Sequence, residues 1–337
     1  MRGSLEPIAI VGAGGWGTAL SVHLARIGHD IRLWGRDARL IETLRAAGEN
    51  ASYLPGVALP ASVRPSASLA ETLTGAKYVV LAVPSHGFRA VARAIAPIAP
   101  ADAILVSATK GIEEASLQRM SEILSEETGP DRRVVVLSGP TFASEVARGL
   151  PTVAVAASRD ASAAASVQEQ FRGATFRLYG SDDVAGVEMG GAMKNIIAIA
   201  AGVVEGLGLG HNSMAALITR GLAEMSRLTA AVGGRRDTLS GLSGLGDLVL
   251  TCTGDLSRNR QVGIQLGRGR RLDEILQGMQ MVAEGVRTTG AALALGERHG
   301  IELPITAQMA AVLDGRRPPL DAVEALMGRR QRTEIDQ

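Results

Sequence analysis

Pro7-Ile-Ala-Ile-Val-Gly-Ala-Gly-Gly-Trp-Gly17, read on through Thr18–Ile27, Gly28 and Ile31-Arg-Leu-Trp34, decides the fold. Ile8–Val11 is a short apolar run of the kind a buried parallel strand requires. Thr18–Ile27 then sets Ala19, Leu20, Val22 and Leu24 in a helical stretch, and Gly28 ends it. Ile31–Trp34 is a second strand, so the segment opens a βαβ unit. Gly12-Ala-Gly14-Gly-Trp-Gly17 is G-x-G-x-x-G at the strand-to-helix junction. Gly12 permits the tight turn, Gly14 clears the path of a pyrophosphate, and Gly17 lets the helix lie against the sheet. Backbone N–H groups and the positive helix end would receive the anion. The motif alone is weak in a glycine-rich chain. Flanked by a strand and a helix, it points to a dinucleotide.

Working outward, Tyr78–Val83, Ile104–Ser107, Val134–Leu137 and Phe176–Tyr179 read as strands, with Val153–Ala156 bordering the same sheet. Helical stretches at His86–Ala96, Ser116–Glu126 and Ala161–Phe171 alternate with them. After Ser181 the texture changes to helices alone: Asp183–Glu205, Ser213–Ala231, Met281–Glu297, Ile305–Leu313 and Leu320–Met327. The expected architecture is α/β, with an N-terminal Rossmann-like, mostly parallel sheet over residues 1–184 and a C-terminal all-helical domain over residues 185–337.

Composition narrows the function classes. Apolar residues make up 46% and charged residues 20%, enough for a large core. The formal net charge of +1 offers no bulk attraction for nucleic acid. Glycine supplies 41 of 337 residues, well above the ordinary share of about 7%. Cys252 is the single cysteine, so neither an internal disulfide nor a thiolate metal cluster can form. The five histidines show no ligand spacing, and no metal is expected. The most apolar later run, Ile196–Val204, is shorter than the roughly 20 residues that cross a bilayer. No membrane insertion and a cytoplasmic location are expected.

Several polar residues stand out against apolar or glycine-rich surroundings. Gly35-Arg36-Asp37 ends the second strand where NAD enzymes place an acid for the ribose 2′-OH. Arg36 suits a 2′-phosphate, which favours NADP weakly; Asp37 keeps NAD open, and a solvated Arg36 is the competing reading. Lys110 follows a strand's C-terminal end, the edge where open α/β sheets bind ligands. Lys194 and Asn195 open an apolar helical run, which is costly without polar partners. Asp247 and Thr251 are four apart and share a face if helical. Ser257-Arg258-Asn259-Arg260 adds cations. Each has a bland alternative: Lys110 as a loop cation, Lys194 snorkelling, Asp247 as a helix cap, Arg258 and Arg260 as a solvated face.

The combination of Asn50–Gly56, Ala108–Glu113, Ser138–Ala143, Met193–Gly202, Ala215–Gly221, Gly244–Asp247, Ser257–Arg260 and Glu284–Thr288 resembles the bacterial NAD(P)-dependent glycerol-3-phosphate dehydrogenases of the soluble biosynthetic type. The resemblance implies reversible reduction of dihydroxyacetone phosphate to sn-glycerol 3-phosphate for phospholipid synthesis, by a homodimer in the cytosol. It implies Lys194 as proton acceptor, with Lys110 touching both cofactor and substrate and Asp247 beside them. Gly139, Thr141, Asn195, Asp247, Thr251, Ser257, Arg258 and Asn259 would line the site of a small phosphorylated triose or polyol. Gly12, Gly14, Gly15, Trp16, Gly17, Arg36, Lys110, Ala143, Arg258, Val282 and Glu284 would meet the dinucleotide. His211 stands where the family pattern has an acid.

A free lysine titrates near 10.4. Useful basicity near neutrality needs a dry site or a neighbouring cation, and Asp247 would oppose both. The net direction stays open at this point. So do two alternatives: a β-hydroxy-acid or sugar-acid phosphate dehydrogenase of similar build, and a dinucleotide-binding protein that does no chemistry.

Overall fold

The computed structural model describes residues 6–279, 283–331, 333 and 334. Eight strands form one sheet: β1 (Ile8–Val11), β2 (Ile31–Trp34), β3 (Val63–Ser66), β4 (Tyr78–Leu81), β5 (Ile104–Ser107), β6 (Val134–Ser138), β7 (Thr152–Ala157) and β8 (Phe176–Ser181). Their spatial order is β3-β2-β1-β4-β5-β6-β7-β8. Every neighbouring pair is parallel except β6 with β7. β1 lies between β2 and β4, with Ile10 opposite Leu33 and Val80. It is buried throughout, which its unbroken apolar run requires. The chain order reverses between β1 and β4, and that edge is where such sheets form a ligand crevice.

The helices of the sheet half are α1 (Gly15–Arg26), α2 (Ala38–Ala47), α3 (Leu69–Leu73), α4 (Ser85–Ile95), α5 (Met120–Thr128), α6 (Ala143–Arg148) and α7 (Ala161–Phe171). After β8 come α8 (Val184–Gly206), α9 (Gly210–Ala231), α10 (Arg236–Leu239), a π-helical turn (Leu242–Gly246), α11 (Asp247–Thr253), α12 (Arg258–Gly267), α13 (Leu272–Gln277), α14 (Glu284–His299), α15 (Pro304–Leu313) and α16 (Pro319–Met327).

Some local expectations change. The helix read from Ser116 begins at Met120, because an Ile112–Arg119 bridge and a left-handed Leu117 (φ 63°) occupy the preceding residues. β3 was not expected; Val-Arg-Pro-Ser lacks a strand's composition but forms the sheet's edge, where proline is tolerated. The helix read from Met281 starts at Glu284 among the described residues, and residues 280–282 lie outside them.

α8 organises the helical half. By length and composition it could cross a membrane, but its most apolar window is 100% buried inside the protein. It packs against α9, α11, α12 and α14 and also reaches β6. Asp183 begins it by accepting the Gly186 N–H, and also accepts the Arg235 N–H and the Thr238 hydroxyl. Its buried Glu188 accepts Arg119 at 2.6 Å and both the N–H and hydroxyl of Ser121. That ties α8 to the start of α5. Burial raises the pKa of Glu188 despite this partner.

α8 and α12 approach through glycines. A Cβ on Gly202 would sit 2.0 Å from the Arg260 carbonyl oxygen, and one on Gly263 2.0 Å from that of Ile199. Helix propensity alone favours alanine over glycine by about 1 kcal/mol. Overpacking a filled core costs about 1–3 kcal/mol, so packing wins here. Gly263→Ala should therefore lower the urea unfolding midpoint. An unchanged or raised midpoint would show that the helices can separate without loss.

Candidate active site

The site starts at the glycine turn after β1. Gly12 has φ 126°, and a Cβ there would lie 2.5 Å from the Ala82 carbonyl oxygen just past β4. A Cβ on Gly17 would come within 1.9 Å of the Gly12 carbonyl oxygen. Both are packing glycines. Gly14 differs: a Cβ there meets nothing within 4 Å, and no side chain caps the start of α1. This open space beside uncapped N–H groups fits a dinucleotide pyrophosphate. The loop after α2 covers the turn. Asn50 donates to the Ala13 carbonyl at 3.0 Å and to Thr18 Oγ1 at 2.7 Å. A Cβ on Gly15 would fall 2.8 Å from the Tyr53 carbonyl oxygen. Trp16 is half-buried in the same apolar cluster as Ala143.

Arg36 is exposed just beyond β2. Asp37 caps α2, accepting the Arg39 N–H at 2.9 Å, which commits one carboxylate oxygen locally. Gly35 has a packing reason of its own, since a Cβ would lie 2.8 Å from Ile41 Cδ1. Glu284, at the start of α14, reaches across to the other half and accepts both the N–H and the hydroxyl of Ser85 at the start of α4. Val282 lies outside the described residues.

Two lysines meet at one carboxylate. Lys194, on α8, donates to Asp247 Oδ1 at 2.6 Å and to Thr251 Oγ1 at 2.7 Å. Lys110, just past β5, donates to Asp247 Oδ2 at 2.6 Å and to the Gly139 carbonyl at 2.8 Å. Thr251 donates to the Asp247 carbonyl at 2.6 Å, one turn back on α11. Asp247 therefore serves both lysines, and the capping and snorkelling readings give way to this arrangement. The Lys194 side chain is 8% exposed and that of Asp247 1%. Loss of water is the largest influence on Lys194; Asp247 opposes it and the Lys110 ammonium adds to it. The pKa falls to about 8. The direction left open by sequence is downward. Buried Cys252 nearby has its thiol pushed up to about 12, chiefly by the same dryness.

A chain of amides runs beside the lysines. The Gly285 N–H donates to Asn259 Oδ1 and Asn259 Nδ2 donates to Asn195 Oδ1, each at 2.9 Å. Ser257 caps α12 by accepting the Arg260 N–H. Thr141 Oγ1 donates to the Gly139 carbonyl at 3.1 Å. Arg258 opens α12 with more than a third of its surface exposed; partial loss of hydration lowers its pKa and the Glu284 charge opposes that. Arg260 is not a solvated cation: it is buried and pairs with Glu205 at 2.6 Å and Asp255 at 3.0 Å.

Sequence reasoning missed Ser85 and Glu188, and quoted Asn50 only within a matching stretch without its supporting role, because each acts on a residue distant in the chain. One compositional signal was available. Only three lysines occur, Lys77, Lys110 and Lys194. A chain that otherwise uses arginine for its cations has set two of its lysines on one aspartate, and lysine, unlike arginine, can give up its proton.

Comparison with known proteins gives a consistent result. Residues 7–164 match the family model for the NAD-dependent glycerol-3-phosphate dehydrogenase N-terminus, and residues 183–324 match that for its C-terminus. The chain is 51% identical over 335 residues to glycerol-3-phosphate dehydrogenase [NAD(P)+] of Koribacter versatilis, covering 98% of this chain and 99% of that one. It is 52% identical to the protein of the same name from Acidobacterium capsulatum, covering 98% and 100%. The crystal structure of glycerol-3-phosphate dehydrogenase from Coxiella burnetii superposes with a TM-score of 0.93 at 41% identity, covering 96% of this chain and 99% of that one.

The shared carboxylate has a measurable consequence. Asp247→Asn removes the anion that both lysines share, and breaking a buried pair this way costs about 3–5 kcal/mol. Urea unfolding at pH 7 should show a loss of that order. At pH 9, above the Lys194 pKa of about 8, Lys194 is mostly neutral and its share of the loss should disappear. Equal losses at both pH values would contradict the pairing.

Proposed function

This chain belongs to the NAD-dependent glycerol-3-phosphate dehydrogenase family, and on that footing we propose how its residues divide the reaction. It interconverts dihydroxyacetone phosphate and sn-glycerol 3-phosphate with a nicotinamide dinucleotide. When bound, the nicotinamide supplies or takes up the hydride. The protein must do the rest: move one proton, stabilise charge on the C2 oxygen and anchor the phosphate.

Lys194 moves the proton. In the reducing direction its ammonium hydrogen-bonds the C2 oxygen and donates as negative charge develops there. In the oxidising direction its neutral amine accepts the C2 hydroxyl proton. The observation that carries this reading is Lys194 in a dry pocket, bonded to Asp247 and Thr251, with its pKa lowered to about 8. A group titrating there supplies both protonation states near neutral pH. Lys110 keeps a second positive charge beside the developing alkoxide and depresses its neighbour. Asp247 holds both in place.

Arg258 binds the phosphate, where a guanidinium can make two charge-assisted hydrogen bonds. Asn195, Asn259, Ser257, Thr141 and Gly139 line the substrate. The phosphate is remote from the reacting carbon, so its binding serves to hold C2 in line. Arg36 favours the 2′-phosphate of NADP, while NAD remains usable. We also assign residues 1–184 to the cofactor domain and 185–337 to the substrate domain, with a homodimer in the cytosol as the working form.

The test is cofactor oxidation followed spectrophotometrically. Dihydroxyacetone phosphate should turn over rapidly and unphosphorylated dihydroxyacetone hardly at all; comparable rates would remove Arg258 from its role. For reduction, kcat/KM should fall as pH rises through about 8, because protonated Lys194 is lost. For oxidation it should rise over the same range. The substrate phosphate loses its second proton near 6, well away from this limb. Lys194→Met should cost about 10²–10⁴-fold in either direction. Arg36→Asp should shift the NADPH-to-NADH ratio towards NADH by about tenfold or more, and an unchanged ratio would assign the preference elsewhere.

A further inference from the structure

α8 carries two adjacent glycines, Gly190 and Gly191, one turn before Lys194. Each costs a helix interior about 1 kcal/mol relative to alanine, and neither has the left-handed φ that would demand glycine. Their reasons lie on two different sides. A Cβ on Gly190 would sit 2.4 Å from the Ser243 carbonyl oxygen and 3.4 Å from Gly244 Cα, in the π-helical turn that leads into Asp247. A Cβ on Gly191 would sit 2.7 Å from Ser138 Oγ, 3.3 Å from Lys110 Cγ and 3.5 Å from Lys110 Cδ. One glycine admits the segment that brings the carboxylate. The other admits the stem of the second lysine and the end of β6. The Ser138 hydroxyl in that gap is buried and has no hydrogen-bond partner among the described residues.

We propose that Gly190 and Gly191 are positioning residues of the reaction: their missing side chains let the Ser243–Gly244 backbone and the Lys110 stem close on α8 from two directions, so that Asp247 meets both lysines at once. The inference rests on Lys194 as the proton-transferring group. Gly191 is the sharper case, because it faces Lys110 and Ser138 and not the segment that carries Asp247. A methyl there pushes Lys110 and Ser138 away from α8. Lys110 then repels Lys194 less, and Asp247 is left to Lys194. Both changes favour the ammonium form of Lys194.

The experiment is the pH profile of kcat/KM for glycerol phosphate oxidation by Gly191→Ala, Ser138→Ala and the double variant, beside the wild type. Gly191→Ala should move the rising limb to higher pH by about half a unit or more, with NADPH affinity retained. Ser138→Ala breaks no hydrogen bond seen in the structure and should leave the limb in place. The double variant removes the 2.7 Å collision with Ser138 but keeps the 3.3 Å approach to Lys110 Cγ, and should bring the limb part of the way back. A merely structural glycine would lower the unfolding midpoint or the rate without moving the limb. That result, or a displaced limb that adding Ser138→Ala does not shift back at all, overturns the proposal. Should Gly191→Ala fail to fold, the double variant decides, because its methyl still meets the Lys110 stem: a limb displaced to higher pH supports the proposal, and a wild-type limb or an unfolded protein overturns it. A wild-type enzyme with no limb near pH 8 would instead overturn the role given to Lys194.

Discussion

Asp247 accepts Lys110 with one carboxylate oxygen and Lys194 with the other. The two cations reach it from opposite halves of the molecule, one from the C-terminal edge of the sheet and one from the core of the helical half. Bringing two ammonium groups into a dry space is unfavourable unless an anion lies between them. The carboxylate makes the arrangement tolerable without cancelling the effect of burial, and Lys194 remains poised to lose its proton. Arrangement and reactivity therefore have one cause. A wetter pocket would leave Lys194 too basic, and a pocket without Asp247 would expel it or collapse.

The rest of the fold can be understood as holding that carboxylate and those lysines in register. Glu188 fixes α8 to the start of α5, and Glu284 fixes α14 to the start of α4. Each is a carboxylate of the helical half accepting N–H groups at a helix N-terminus of the sheet half, a favourable use of the helix dipole. The glycines complete the clamp. Gly202 and Gly263 bring α12, with Arg258 and Asn259, against α8; Gly190 and Gly191 admit Asp247 and Lys110. The high glycine content serves close packing at many positions and left-handed turns at others.

This explains what could and could not be read from the chain. The β1-α1-β2 opening was legible because β1 is apolar throughout and Gly12 and Gly17 have unambiguous steric work. β3 was not, because an edge strand of four residues carrying Arg64 and Pro65 has no pattern to recognise. On α11 the spacing of Asp247 and Thr251 announced a shared face. The partners that face serves are 53 and 137 residues away in sequence from Asp247, and no local pattern encodes them. The direction of the Lys194 shift was equally hidden, since burial, an anion and a cation compete and only geometry ranks them.

Lysine scarcity makes the titration of Lys194 open to direct observation. Protein labelled with ¹³C at the lysine ε-carbon should give three resonances, one each for Lys77, Lys110 and Lys194. Titrated by NMR, the resonance that Lys194→Met removes should shift with a midpoint near pH 8, while that of Lys77, paired with Asp102 at the surface, should titrate above its ordinary value. If the Lys194 resonance instead titrates near 10.4, as a free lysine does, the pocket does not lower its pKa and the proton-transfer role proposed for Lys194 fails.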